Sequence, residues 1–241
     1  MSRIELLGIP IDRLTQAEAV EWVANALCQQ QPRLLVSINP ERLMQALRDP
    51  ALAEVLRRAD LSLADGAGVL WAARRLGSPL PGRVPGVDFL GALAARGAAQ
   101  GWRFFFLGGD PGVAEAAGAA LRTAFPGFQL VGTFGGSPDP RDDSASVAAV
   151  RASRAQLVFV AYGGGGEEAW LARNLPATGA LVGMGVGGAF DFISGRARRA
   201  PPFMREHGLE WLHRLIKQPW RWRRMLALPR FMAQVMADKR A

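Results

Sequence analysis

Short apolar runs alternate with stretches of helical periodicity along most of this chain. Leu34 to Ile38, Leu61 to Leu63, Arg103 to Leu107, Leu130 to Phe134, Leu157 to Ala161 and Ala180 to Met184 read as short buried strands. A further strand is expected around Ile4 to Leu7. Helical patterns with recognisable starts lie between them. Thr15 to Glu18 is a capping-box pattern ahead of an amphipathic stretch to about Gln29. Asp49 followed by Pro50 reads as an N-cap with proline at the first helical position. Pro111-Gly112 opens an Ala-rich stretch to Ala124. This alternation predicts an α/β fold, a mainly parallel Rossmann-like sheet with helices on both faces. In such sheets ligands bind beyond the carboxyl ends of the strands.

The pattern changes near residue 196. Strand signals stop at Pro201, and Pro202 to Ile216 reads as one helix. Pro219 and Pro229 cut the rest of the chain into shorter helical pieces. Charge changes at the same place: residues 196–241 hold twelve Lys or Arg against Glu206, Glu210 and Asp238, a net +9. The other 195 residues hold 17 basic and 18 acidic groups, a net −1, so the positive excess sits at one end. We therefore divide the chain into an α/β body, 1–195, and a basic Trp-rich helical appendage, 196–241. Trp211, Trp220 and Trp222 are interleaved with its cations. Such a segment suits the headgroup layer of an anionic membrane, nucleic acid, or a solvated or oligomer-forming extension. A nucleic-acid binder would be expected to carry basic residues across the body too, and this body is near neutral.

Other limits come from composition. No run of 18 uncharged apolar residues exists, so no bilayer-spanning helix is expected. MSRIELLGIPID lacks the apolar core and small-residue cleavage site of a signal peptide. The single cysteine, Cys28, fits a reducing cytoplasm and is expected to pack in the core. Its lack of a partner, with His207 and His213 six apart in the tail, predicts no metal site. No cofactor is expected.

Three strand ends are glycine-rich: Gly108-Gly109, Gly163 to Gly166, and Gly183 to Gly188. Glycine there lets backbone N–H groups approach an anion at a helix N-terminus, although tight turn packing uses glycine in the same way. Gly183 to Gly188 matches G-x-G-x-x-G, but no acidic strand end comes about twenty residues later, as a dinucleotide site requires. A nucleotide diphosphate fits the loops better. Asp65 ends a strand in ADLSLADGAG, where it is either a general base for a substrate hydroxyl or a helix N-cap. Ser37 and Asn39, in VSINPE, are expected beside it. Arg83 lies in the stiff loop LGSPLPGRVPGVD, a setting that often carries function.

The runs SINPERLMQALRDPALAEVLRRADLSLADGAGV, LPGRVPGVDF, FFFLGGDPGVAEAA, GVGGAFDFISGRARRAP and GLEWLHRLI closely resemble the WecG/TagA/CpsF glycosyltransferase family, with motifs in the same order from about residue 4 to 225. The resemblance implies transfer of N-acetylmannosamine or its uronic acid from UDP to undecaprenyl-diphosphate-linked N-acetylglucosamine. It implies inversion at the anomeric carbon without a metal, and a protein attached to the inner face of the cell membrane by its appendage. By position it makes Asp65 the base and places Ser37 and Asn39 near sugar and nucleotide. Arg83 matches the loop arginine, and Gly185, Gly187, Gly188 and Asp191 match the nucleotide side. Arg214, Arg221 and Arg224 fall on arginines that meet a diphosphate. One motif departs: the family commonly has G-x-P-x-Q-E where this chain has Gly163-Gly164-Gly165-Gly166-Glu167-Glu168, so Glu167 stands in place of a glutamine implicated in catalysis. A carboxylate there favours the neutral sugar over the uronate. The rival expectation is an inactive homologue that binds a UDP-sugar or acts as a membrane scaffold.

Overall fold

The computed structural model describes residues 2–217, 219 and 222–237, with the side chains of Glu206, Arg214, Arg223 and Arg224 outside the description. Trp220 and Arg221, two of the appendage residues singled out above, lie outside it too.

The chain opens with a hairpin, β1 (Arg3–Leu6) and β2 (Ile9–Asp12). Leu7 at φ 51° and Gly8 at φ 78° form its two-residue turn, both in the left-handed region that matches strand twist. The apolar pattern marks only the first of these strands. Buried Asp12 fixes the hairpin to the body: its carboxylate pairs with Arg3 at 2.8 Å and accepts from the Ser62 N–H at 2.8 Å.

A six-stranded parallel sheet forms the body, as the alternation predicts. Its strands are β3 (Arg33–Ile38), β4 (Leu61–Ala64), β5 (Arg103–Gly108), β6 (Gln129–Phe134), β7 (Leu157–Ala161) and β8 (Val182–Gly185), in the order β4-β3-β8-β7-β5-β6. The central strands are apolar on both faces and buried, as two covered faces require. One face carries α1 (Gln16–Gln29), α5 (Gly86–Gln100), α6 (Val113–Ala124) and α9 (Ala189–Ile193), packed on Phe104, Phe106, Phe159 and Met184. The other carries α2 (Pro40–Ala46), α3 (Pro50–Arg58) and α4 (Ala67–Arg75) with the hairpin, and further along α7 (Asp143–Ser153) and α8 (Gly166–Thr178).

The expected caps form. Thr15 and Glu18 make the capping box of α1, and the Asp49 carboxylate accepts from the N–H groups of Ala51 and Leu52 at the start of α3. Cys28 is a correction. It is exposed, because α1 buries Ala19, Val23, Ala26 and Leu27 and turns position 28 to the rim of that face.

The expected helix from Pro202 to Ile216 is two, α10 (Pro202–Glu206) and α11 (Glu210–Lys217). They part at Gly208, whose φ is 71°. A Cβ on Gly208 would stand 2.4 Å from the Ala67 Cβ, so close contact with the start of α4 sets the break. After α12 (Trp222–Met225), α13 (Ala227–Ala237) packs against α2 and α4, with Phe231 1% exposed and Val235 buried. Pro229 sits in the first turn of α13, where a missing N–H costs no hydrogen bond. No described helix is long and apolar enough to cross a membrane.

Candidate active site

Neighbouring strands β3 and β8 send the chain to opposite faces of the sheet. After β3 the chain enters α2, whose Leu43 and Met44 join the core of one face; after β8 it enters α9, whose Phe190 joins the core of the other. Such a divergence opens a crevice at the carboxyl edge, the usual ligand position in this architecture. The named residues of the body collect around this edge.

Ser37 lies on β3 beside Leu63 of β4, and its hydroxyl donates to Asp65 Oδ2 at 3.3 Å. The Asp65 N–H donates to the Ile38 carbonyl at 2.7 Å, which holds the residue against the end of β3. Gly66, not Asp65, is the N-cap residue of α4. Asp65 therefore stands one residue ahead of the cap position, with its carboxylate turned in part to Ser37. Asn39 is a cap: its Oδ1 accepts from the Arg42 N–H at 2.9 Å at the start of α2, with Pro40 next in the chain. The cap uses the amide oxygen, so what Asn39 can offer a ligand is its NH2 group.

Arg83 reaches the same edge by its loop, because the Val84 N–H donates to the Ala64 carbonyl at 2.7 Å. Its guanidinium donates to the Arg205 carbonyl of α10 at 2.6 Å. A cleft of about 620 Å³ opens beside it, lined by Arg83, Pro85, Asp88, Ala92, Phe125 and Arg205. The cleft shares Arg83 with the edge but runs along α5, away from Ser37, Asp65 and Glu167.

Several glycines have packing reasons. A Cβ on Gly108 would meet Tyr162 Cδ1 at 2.8 Å, and one on Gly185 would meet Glu167 Cβ at 2.7 Å. Gly109 lies against Phe190, and Gly187 and Gly188 lead into α9. Close packing and backbone approach to an anion are compatible at these loops. Asp191, in the first turn of α9, is 4.0 Å from Arg196, which also pairs with Asp110 at 2.6 Å.

Beneath the crevice lies a group of which only Glu167 stands out in the sequence. Glu167 and Glu168 open α8, and both are buried. Arg42 of α2 comes within 3.2 Å of Glu168 Oε1 and 3.8 Å of Glu167 Oε2. Neither oxygen of Glu167 has a hydrogen-bond partner. Burial pushes the Glu168 carboxyl above its ordinary range; Arg42 opposes this and the Glu167 charge adds to it. Burial likewise pushes the hydroxyl of Tyr162, whose ring packs on Gly108, well above its ordinary range.

A second ionic group ties the C-terminal segment down. Arg199 forms a fork with both oxygens of Asp88 and donates to Glu210 of α11 at 3.1 Å. Burial pushes the Asp88 carboxyl up, but Arg199, with Arg205 and Arg83 behind it, outweighs this and holds it below the ordinary range. Together with Gly208 on Ala67, this clamp sets α10 and α11 against the start of α4, one residue beyond Asp65 and Gly66.

Trp211 and Trp222 are largely exposed on α11 and α12. Of the large apolar side chains exposed among the described residues, only Leu47 lies in the body. Phe203, Trp211, Ile216, Trp222, Leu226, Met232 and Met236 all lie in the C-terminal segment. Arg214 and Arg224 fall on α11 and α12, but their side chains are outside the description. Among the described residues, no group of three His, Cys, Asp or Glu is placed to hold a metal ion.

Known proteins align with this chain nearly end to end. The N-acetylglucosaminyldiphosphoundecaprenol N-acetyl-beta-D-mannosaminyltransferase of Bacillus spizizenii is 34% identical over 239 residues, covering 96% of this chain and 92% of the relative. A protein of the same name from Staphylococcus aureus strain MW2 is 28% identical over 241 residues, covering 99% of this chain and 94% of the relative. The family description "Glycosyl transferase WecG/TagA/CpsF family" matches residues 4–241, and the chain belongs to that family of glycosyltransferases.

Proposed function

We propose that this protein transfers N-acetylmannosamine from UDP to undecaprenyl-diphosphate-linked N-acetylglucosamine, with inversion and without a metal, during synthesis of a cell-surface polymer. The observation that carries the reading is the Ser37–Asp65 pair on the carboxyl edge, beside a crevice between β3 and β8 whose far wall is glycine-rich. UDP-sugar lies in that crevice. Asp65 takes the proton from the acceptor hydroxyl as the oxygen attacks the anomeric carbon. The bond from that carbon to the β-phosphate oxygen breaks, and UDP leaves. Asn39, Arg83 and the N–H groups at Gly108, Gly109 and Gly185 to Gly188 meet the developing charge. Asp191 binds on the nucleotide side.

The lipid-linked acceptor requires the enzyme at the inner face of the membrane. The C-terminal segment supplies the contact: its exposed Phe203, Trp211, Ile216 and Trp222 enter the interface, and its cations meet anionic headgroups. Arg214, Arg221 and Arg224 meet the acceptor diphosphate, for which a guanidinium fork is suited. We keep 196–241 as the appendage, with the qualification that α13 is built into the body's core. A deletion after Ile193 would uncover Phe231's site, so replacement of exposed side chains is the cleaner probe. A neutral donor suits the site better than a uronate, because Glu167 is a second carboxylate near it.

The test is an assay of UDP release and sugar transfer with UDP-N-acetylmannosamine and a lipid-linked N-acetylglucosamine acceptor, run with anionic vesicles. Transfer and vesicle sedimentation are expected. Replacing Phe203, Trp211 and Trp222 by Ser is expected to reduce both. UDP-sugar binding without transfer would point to the inactive-homologue reading.

A further inference from the structure

Glu167 presents an unusual combination: it is 0% exposed, and both its oxygens lack a partner. Leaving a buried carboxylate unsatisfied costs several kcal/mol unless something else supplies donors or charge. The side chain lies directly under the nucleotide-side loop. A Cβ added to Gly185 would strike its Cβ at 2.7 Å, and one on Gly187 would come 3.8 Å from Oε1. The protein group nearest to supplying charge is Arg42, at 3.8 Å from Oε2.

Arg42 is held from three sides. Its Nη1 donates to Gln45 Oε1 at 3.0 Å, and its Nη2 is 3.2 Å from Glu168 Oε1. It also lies against the N-terminus of α8, where Gly165 takes φ 96° and a Cβ would come 3.1 Å from Nη1. Arg42 therefore bridges α2, which Asn39 caps, to α8, which carries Glu167. These helices come after β3 and β7, the strands on either side of β8, so the bridge runs beneath the crevice.

We propose that Arg42 is a positioning residue for the transfer reaction: it holds the Glu167 carboxylate beneath the crevice, where that carboxylate accepts hydrogen bonds from hydroxyl or amide groups of the bound sugar nucleotide. The inference rests on the reading of the crevice as the donor site. Glu168 shares the same guanidinium nitrogen, Nη2, and so holds Arg42 beside Glu167. Donor groups of a neutral sugar satisfy the oxygens that the protein leaves unsatisfied, and Arg42 keeps those oxygens in one place before the ligand arrives.

A double-mutant cycle of Arg42→Gln and Glu167→Gln tests this, read as kcat/KM for UDP-N-acetylmannosamine and independently as calorimetric affinity for the same compound. Arg42→Gln alone is expected to lower both by at least about tenfold, and by less than about threefold in the Glu167→Gln background, since a residue acting through another has nothing left to position. Arg42→Lys, which keeps the charge and loses the fork, is expected to fall between. An equal penalty in both backgrounds, or no penalty, would overturn the proposal. Should Arg42→Gln fail to fold, the cycle is run with Arg42→Lys and judged by the same criterion. If the unmutated protein binds the sugar nucleotide but transfers nothing, the proposed function fails, and the affinity cycle still decides the role of Arg42.

Discussion

Two groups of similar make-up sit in different parts of this molecule. Under the crevice, Arg42 stands between Glu167 and Glu168; at the junction with the C-terminal segment, Arg199 stands between Asp88 and Glu210. Each is one arginine with two carboxylates, yet they behave in opposite ways. Both side chains of the first acid pair are almost wholly buried, while Asp88 is 37% exposed at its side chain. Glu168 is pushed above the ordinary carboxylate range, and Asp88 is held below it. The Arg199 group is satisfied within the protein by a fork and a further hydrogen bond. The Arg42 group leaves oxygens of both glutamates without partners. Burial and the number of cations make the difference: Arg199, Arg205 and Arg83 stabilise the partly exposed Asp88, whereas the buried pair depends on one cation and on whatever enters the crevice. We accordingly read the first group as part of the chemistry and the second as a clamp on posture.

The largest test of this contrast is stability. Arg42→Met strands a buried carboxylate and is expected to cost about 3 kcal/mol, the scale seen when one partner of a buried pair is removed. Arg199→Met at the partly exposed clamp is expected to cost less, about 1 kcal/mol, because solvent reaches the acids it leaves. Urea unfolding of both variants measures this, and equal losses would break the comparison. A second test concerns donor choice. Glu167→Gln removes one like-charge repulsion and is expected to raise use of the uronate donor relative to the neutral one about tenfold, the factor of one pKa unit of interaction. A preference of the unmutated protein for the uronate would contradict the assignment of a neutral sugar.

The pH dependence separates the groups by sign. Asp88, held low when folded, contributes stability that is present above the ordinary carboxylate range and lost as the pH falls through its folded value. Glu168, pushed up when folded, contributes stability that is present in acid and lost as the pH rises through its folded value. Asp88→Asn should therefore flatten the acid side of a stability-against-pH curve, and Glu168→Gln the side above about pH 4.5. The same side flattened by both changes would refute the opposed directions. The smallest effect expected is none: EDTA should leave the transfer rate unchanged if, as proposed, arginines and N–H groups meet the leaving diphosphate.

Some of this was legible in the chain and some was not, for physical reasons. The parallel sheet, the two capped helices and the neighbourhood of Ser37 with Asp65 come from apolar runs, cap chemistry and strand order, all of which are local. The strand at Ile9–Asp12 was missed because its pairing depends on Leu7 taking a left-handed conformation, which a Leu-Gly turn signals weakly. The break at Gly208 has a local signal, a glycine that closes α10 at φ 71° with the Leu209 N–H on the Met204 carbonyl, while the contact with Ala67, over 140 residues away in sequence, has none. Glu167 and Glu168 at the start of a helix look like ordinary partners for the helix dipole. Their burial, and the part of Arg42, appear only when α2 and α8 meet. Arg199 was counted among the tail's cations, although it is spent on Asp88 and Glu210. The burial of Phe231 was hidden in the same way, since α13 reads as amphipathic whether its apolar side meets lipid or protein.

The central claim is that Asp65 accepts the proton of the acceptor hydroxyl at this edge, and Asp65→Asn tests it most directly. The amide has the same shape but cannot take that proton. Transfer to the lipid-linked acceptor is expected to fall by about 100-fold or more, the scale of a lost general base, with UDP affinity and unfolding midpoint unchanged. Near-normal turnover by the folded variant would contradict the account.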